Sequence, residues 1–370
     1  MKDLTSSVYT FENLVSGKFR YVDKTKYIWQ LLQPVNGHYF LARPRRFGKS
    51  LTLSTLKAVF QGKRHLFKGM ALESKPYDWK EYPVIHLDLT SCPSHDRKQL
   101  NCSLIDAISW IAKKFNINLT KKDASGCFRE LILKASSQEK VVILIDEYDK
   151  PILDNIMSPE LHEIRMELED FYSVIKTTES YQRFVFLSGV STFVQLDDFA
   201  DLTRHMDYAT MLGYTQEELE YNFSDYLDHL AKELKIGITE LLFQLQCWYG
   251  GYRFEKGAPT VYNPCSITNF FSGGSFHNFW FETGTPSFMI RSFLKKDYKL
   301  SQLGHPEFDV TELSIHETDT ATAAHLLFQA GYLTIADYNA KSMRYSLDFP
   351  NLEVKKSFQY IMTSINEVHE

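Results

Sequence analysis

Val141-Val142-Ile143-Leu144-Ile145 is an unbroken apolar run. A strand with one face in water alternates apolar and polar side chains. One with five apolar residues in succession has to be covered on both faces. Cover on both faces points to a parallel sheet between layers of crossover helices. The neighbouring sequence agrees. Gly37–Ala42 reads as a buried strand entering Arg43-Pro44, residues 83–89 as a second strand and 184–189 as another. Residues 209–212 are expected to add a fifth. Between these runs, residues 51–60, 98–115, 126–136 and 159–178 carry apolar side chains at helical spacing. The expected fold class is α/β, a three-layer αβα core with a parallel sheet.

The texture changes after Gly213. Thr215-Gln216-Glu217-Glu218 has the form of a capping box, and helical spacing follows over 216–233 and 238–248. A length of 370 residues suits two domains. The expected division is 1–212 and 213–370, the second part mainly helical with a few short strands. Hydrophobic residues make up 44% and charged residues 24%, as in ordinary soluble globular chains, and 27 Phe with 21 Tyr argue against disorder.

A net charge of −5 lends no support to a dedicated non-specific nucleic-acid binder. Five dispersed cysteines without a CxxC pair disfavour a disulfide framework or a zinc site and suit a reducing cytoplasm. The polar N-terminus does not read as a signal peptide, and no apolar run is long enough for a bilayer. The expectation is a cytoplasmic protein without a membrane partner.

The chemistry concentrates at Phe47-Gly48-Lys49-Ser50, placed after a strand and before a helix. A helix N-terminus offers unpaired N–H groups and a positive dipole end to clustered phosphate charge. Gly48 lets backbone approach a phosphate, Lys49 suits the β- and γ-phosphates, and Ser50 can ligate Mg²⁺. The nucleotide-binding segment is expected to comprise Arg43, Pro44, Arg45, Arg46, Phe47, Gly48, Lys49, Ser50 and Leu51. The usual pattern has glycine where Arg43 stands, and Pro44 would help fix a loop of negative φ there.

Asp146-Glu147 ends the apolar strand and reads as a Walker B pair. Asp146 would hold Mg²⁺ through water, and Glu147 would polarise the attacking water. Ligands of open α/β sheets lie at such carboxyl ends. Ser188, at the end of the next buried strand, suits a γ-phosphate sensor, and Arg46 suits an arginine finger supplied in cis. The same arginines equally suit a solvated basic loop or ion pairs with the second domain. Asp149 and Lys150 read either as further site residues or, more in keeping with local sequence, as a surface turn, and Asp88 either as orienting the attacking water or, the favoured reading, as structural.

Several segments together resemble the bacterial AAA-ATPase-like family. They are Tyr21-Val22-Asp23-Lys24-Thr25, the Arg43-Pro44-Arg45-Arg46-Phe47-Gly48-Lys49-Ser50 loop, Leu144-Ile145-Asp146-Glu147-Tyr148-Asp149 and Leu187-Ser188-Gly189-Val190-Ser191. Trp248-Tyr249-Gly250-Gly251-Tyr252-Arg253-Phe254, Val261-Tyr262-Asn263-Pro264, Trp280-Phe281-Glu282-Thr283-Gly284-Thr285-Pro286 and Gly331-Tyr332-Leu333 extend the likeness over nearly the whole chain. The resemblance makes Arg43 part of the pattern. It implies a P-loop NTPase core of the Glu-catalysed class, a winged-helix-like region after it, and base packing by residues 21–30. Its Walker residues correspond to Lys49, Ser50, Asp146 and Glu147, and its sensor position to Ser188. Many such proteins continue into a nuclease-like domain of the PD-(D/E)xK type. No such motif is found here, and nuclease activity is not expected. Trp248, Tyr249, Tyr252, Trp280 and Phe281 read as core, with Glu282 structural, and Arg253 either as core or as reaching the nucleotide.

Three function classes follow. The first is an ATPase that binds ATP with Mg²⁺ and works as a nucleotide-driven conformational switch. The second is a nucleotide-dependent module that docks a protein or nucleic acid through its second domain with little hydrolysis. The third is a small-molecule phosphotransferase, which Glu147 beside Asp146 and the large second part disfavour. An oligomer is compatible with each.

Overall fold

The computed structural model describes residues 2–193, 198–280, 307–309 and 323–369. In chain order the elements are α1 (Phe11–Ser16), α2 (Thr25–Leu32), β1 (Gly37–Ala42), α3 (Lys49–Phe60), β2 (Val84–Asp88), α4 (Arg97–Lys114) and α5 (Ala124–Ala135). Then come β3 (Val141–Asp146), α6 (Lys150–Asp154), α7 (Leu161–Thr177), β4 (Gln182–Gly189), β5 (Ala200–Asp201), α8 (Gln216–Asn222), α9 (Ser224–Leu234), α10 (Ile238–Tyr249) and α11 (Pro264–Gly273). The chain ends with β6 (Glu307–Asp309), α12 (Ala323–Ala330), β7 (Thr334–Asn339), β8 (Arg344–Asp348) and α13 (Leu352–His369). Contacts group residues 25–42 and 50–202 into one compact unit and residues 1–24, 43–49 and 203–370 into another.

The first unit holds a five-stranded sheet in the order β2-β3-β4-β1-β5, with every neighbouring pair parallel. All residues of β3 are buried, as its unbroken apolar run requires. Alternation assigns the two faces. Tyr39 meets Phe184, and Phe60 of α3 lies 4.9 Å from Phe184, so α3 covers that face. Phe40 points the other way onto Tyr148, which meets Tyr172 of α7. On α5 and α7, Phe128 and Phe171 stack at 4.7 Å. The fifth strand is Ala200–Asp201, not residues 209–212, which form turns. Ala209, Met211 and Leu212 are apolar because they pack inward from those turns, so their burial mimics the strand signal.

The second unit is mainly helical. Leu219, Phe223, Leu227, Leu241, Leu245, Ile267 and Phe270 form one buried cluster from α8 to α11. The capping box at Thr215 is present: its side chain accepts from Glu218 N, and Glu218 accepts from Thr215 N. Glu218 also receives Lys24 Nζ at 2.6 Å, and Arg20 pairs with Asp225 at 2.7 Å, which pins the N-terminal segment to α8 and α9. Farther on, α12 leads into the β7–β8 hairpin, with β6 antiparallel to β8. A helix followed by a hairpin matches the winged-helix-like expectation. Glu353, in the first turn of α13, is fully buried and accepts from Ser266 Oγ and Trp280 N, each at 2.9 Å. Burial pushes its carboxyl up to about 8.

Candidate functional site

Parallel strands bring their carboxyl ends to one edge. The register pairs Asp88 with Asp146, Leu41 with Ser188 and Ala42 with Gly189. Asp146, Ser188 and the exit of β1 therefore share the edge where ligands of open α/β sheets bind. Asp146 is 3% exposed, and its Oδ1 accepts from Ser188 Oγ at 2.7 Å and from Glu147 N at 3.0 Å. The expected metal-binding carboxylate and sensor serine are thus in direct contact. Asp88 caps its own short turn, accepting from Thr90 N at 2.9 Å.

Glu147 has φ of 50°, the left-handed region, which costs a non-glycine residue about 1–2 kcal/mol. This backbone twist leaves Glu147 half-buried while Tyr148 and Asp149 on its C-terminal side are fully buried. The carboxylate expected to polarise water is the one residue of this turn that the fold keeps partly exposed.

The turn is fastened to the end of β4. Tyr148 N donates to Ser188 O at 3.0 Å, and Tyr148 Oη donates to Ser191 O at 3.0 Å. Asp149 accepts from Val190 N, Ser191 N and Ser191 Oγ. The sequence reading of Asp149 as a surface residue is wrong, because its carboxylate is wholly buried. Local sequence carries no sign of this, since the donors lie some forty residues downstream, just past the end of β4. Lys150 does face outward, pairing with Asp154 at 2.5 Å.

The loop of residues 43–49 is grouped by contacts with the second unit, although Ala42 before it and Ser50 after it belong to the first. Arg43 is 1% exposed, donates to Thr203 O at 2.7 Å and Tyr208 O at 3.2 Å, and lies 4.1 Å over the Phe254 ring. Its guanidinium is committed to packing inside that unit. Phe47 inserts edge-on to Tyr252 at 4.8 Å and Phe254 at 5.5 Å. Pro44 is buried and Arg45 half-buried.

Arg46 has φ of 68° and donates to Tyr9 Oη at 3.0 Å. Gly48 has φ of 95°, yet a Cβ there would meet nothing within 4 Å. Glycine is needed there for the hand of the backbone. Lys49 Nζ donates to Arg43 O at 3.1 Å and Pro44 O at 3.3 Å. Ser50 and Leu51 are half-buried.

Arg253 donates to Ala336 O at 3.0 Å, inside the second unit. Tyr249, Tyr252 and Trp280 are core residues and Trp248 is partly buried, whereas Phe281, Glu282 and Gly284 lie outside the described residues.

Among the described residues, no group of three or more His, Cys, Asp or Glu could hold a metal ion by itself. Ser50 and Asp146, the residues expected to hold Mg²⁺, would offer one hydroxyl and one carboxylate, a small set of the kind magnesium takes when waters and phosphate oxygens fill its other positions. Among the described residues, no helix is long and apolar enough to cross a membrane.

A family model described as "Predicted AAA-ATPase" matches residues 6–199. A protein of Azotobacter chroococcum mcd 1, described as an uncharacterized protein in the vnfD 5' region, is 36% identical over 369 aligned residues, 96% of this chain and 69% of that protein. The Aeropyrum pernix ORC2 protein, solved as ADPNP–ADP complexes, aligns over 97% of this chain and 93% of its own at 12% identity. Its TM-score of 0.36 is too low to carry over any feature.

Proposed function

Because this chain belongs to the family of predicted AAA-ATPases, we propose that it binds ATP with Mg²⁺ and hydrolyses it to ADP and phosphate. The observation that carries this reading is the bond between Ser188 Oγ and Asp146 Oδ1 at 2.7 Å, with the half-buried, left-handed Glu147 next in sequence. An ordinary acidic turn has no need of a buried serine on its carboxylate or of a strained acid beside it.

In this reading Ser50 and Asp146 hold the metal. Magnesium, when bound, neutralises charge developing on the β- and γ-phosphate oxygens. Glu147 takes the proton of the attacking water. Ser188 keeps Asp146 oriented and senses the γ-phosphate. Gly48 and the amides before Ser50 receive phosphate, and Lys49 leaves its loop carbonyls to pair with phosphate oxygens. Arg45 and Arg46 remain available to compensate charge, with Arg46 the candidate finger. The loop's side chains are anchored on Thr203, Tyr208, Tyr252 and Phe254. A change in loop conformation on hydrolysis would therefore be felt in the C-terminal part, the basis for a switch that presents a protein or nucleic-acid partner.

One observation favours the alternative of a binding module with little turnover. Lys49 Nζ already has two carbonyl partners, so the loop as it stands is satisfied without phosphate. Phosphate release by purified protein with Mg²⁺ decides between them. Lys49→Ala should abolish nucleotide binding, and Glu147→Gln should retain binding while turnover falls about 10²–10⁴-fold. Undiminished turnover in both variants sinks the ATPase reading, and tight binding without turnover in the native chain selects the module.

A further inference from the structure

Resting on the reading just given, we infer that Asp149 is a positioning residue for ATP hydrolysis: it locks the turn after β3 to the turn after β4, so that Ser188 stays on Asp146 and Glu147 keeps its left-handed backbone. Asp149 occupies the N-cap position of α6, yet its side chain makes no cap hydrogen bond. The carboxylate turns instead to the residues just past the end of β4. It accepts from Val190 N at 3.2 and 3.1 Å, from Ser191 N at 2.6 Å and from Ser191 Oγ at 2.5 Å.

Two successive backbone amides converging on one anion form a nest, filled here by the chain's own carboxylate. A charge buried this deeply is tolerated only when such donors surround it. The approach depends on Gly189, where a Cβ would lie 2.4 Å from Tyr148 Cδ1 and 2.5 Å from Asp149 Oδ1. Tyr148 adds a bond from its amide to Ser188 O and one from its hydroxyl to Ser191 O. Ser188 thus enters this clasp through its carbonyl while its hydroxyl stays on Asp146, and Glu147 sits beside it, next to Tyr148. Without the carboxylate, the amides of Val190 and Ser191 lose their acceptor. The end of β4 is then free to shift, and Ser188 no longer holds Asp146 in register with Glu147. The loop of residues 43–49 makes none of these bonds, so nucleotide binding should persist.

The test is Asp149→Asn in the full chain, which keeps the volume but places two N–H donors among donors. Turnover at saturating ATP should fall about 10–100-fold, as for other partners that orient a reacting group, while the Kd for Mg·ATP stays within about threefold. In the nucleotide-free protein, hydrogen exchange should show lost protection at the amides of Val190 and Ser191 and retained protection at 141–145. Ser191→Ala removes a single donor and should give the same pattern with a smaller, few-fold loss of turnover.

Native turnover in Asp149→Asn overturns the inference and leaves the ATPase reading standing. A native chain that neither binds nor hydrolyses ATP overturns both. If Asp149→Asn loses protection throughout the sheet, Ser191→Ala decides, and native turnover with native protection at residue 190 sinks the inference.

Discussion

The turn after β3 and the loop after β1 leave the same edge of one sheet, but they are held by different parts of the chain. Residues 146–149 take their fastenings from the end of the adjacent strand, at Ser188, Val190 and Ser191. Residues 43–49 take theirs from Thr203, Tyr208, Tyr252 and Phe254, far downstream. Identical strand-to-turn chemistry therefore answers to two masters. The acid pair is hydrogen-bonded to the end of β4, whereas the proposed phosphate loop is tied through Arg43 and Phe47 to the C-terminal part. Residue type alone does not reveal this, because Arg43 and Arg45 look equivalent in sequence while one is a buried clamp and the other faces partly outward.

The strongest way to break this contrast is Phe47→Ala. Removing a ring buried between Tyr252 and Phe254 should cost about 3–5 kcal/mol of stability in chemical denaturation. A loss below about 0.5 kcal/mol, typical of a surface site, would mean that the loop is not anchored where its contacts place it.

The two units also differ in how they satisfy a buried carboxylate, and pH sharpens that difference. Glu353 titrates near 8 when folded because burial disfavours its charge, against about 4.3 in an unfolded chain. Its protonated form favours folding. The contribution is complete below about pH 4.3 and drains away as the pH rises towards 8. Glu353→Gln can keep both partners, accepting from Trp280 N and donating to Ser266 Oγ. It should flatten the decline between pH 5 and 8 and gain roughly 2–4 kcal/mol at the alkaline end. Thermal melts across that range check it, and an unchanged slope would rule out Glu353 as the titrating group.

The smallest effect belongs to Arg45→Ala. Stability should move by less than about 0.5 kcal/mol, while nucleotide affinity falls several-fold through lost charge. Parallel melts and nucleotide titrations report both. A stability loss approaching that of Phe47→Ala would erase the distinction between Arg43 and Arg45.

Much of the molecule is legible in the sequence alone. The run at 141–145 demanded cover on both faces, and β3 has it. The capping box at Thr215 formed as its spacing required, because capping is decided by groups three residues apart. Periodicity placed β1 to its residue limits and α4, α5 and α7 to within a residue or two, since the pattern of burial is written locally. The edge strand β5 was missed because two exposed residues hold no pattern, and buried turn residues at 209–212 imitated one.

Composition and local spacing by themselves determined the layered α/β core, the order of its main elements and the residue types brought to the sheet edge. Tertiary structure alone decided which of those residues are tied down. It buried Asp149 against amides just past the end of β4, set Ser188 on Asp146, and drew Arg43 and Phe47 into a distant aromatic cluster. The physical reason is range. Periodicity and caps act over a few residues, whereas a buried charge or ring is satisfied by whatever partner the topology delivers, and that partner leaves no mark on the sequence beside it.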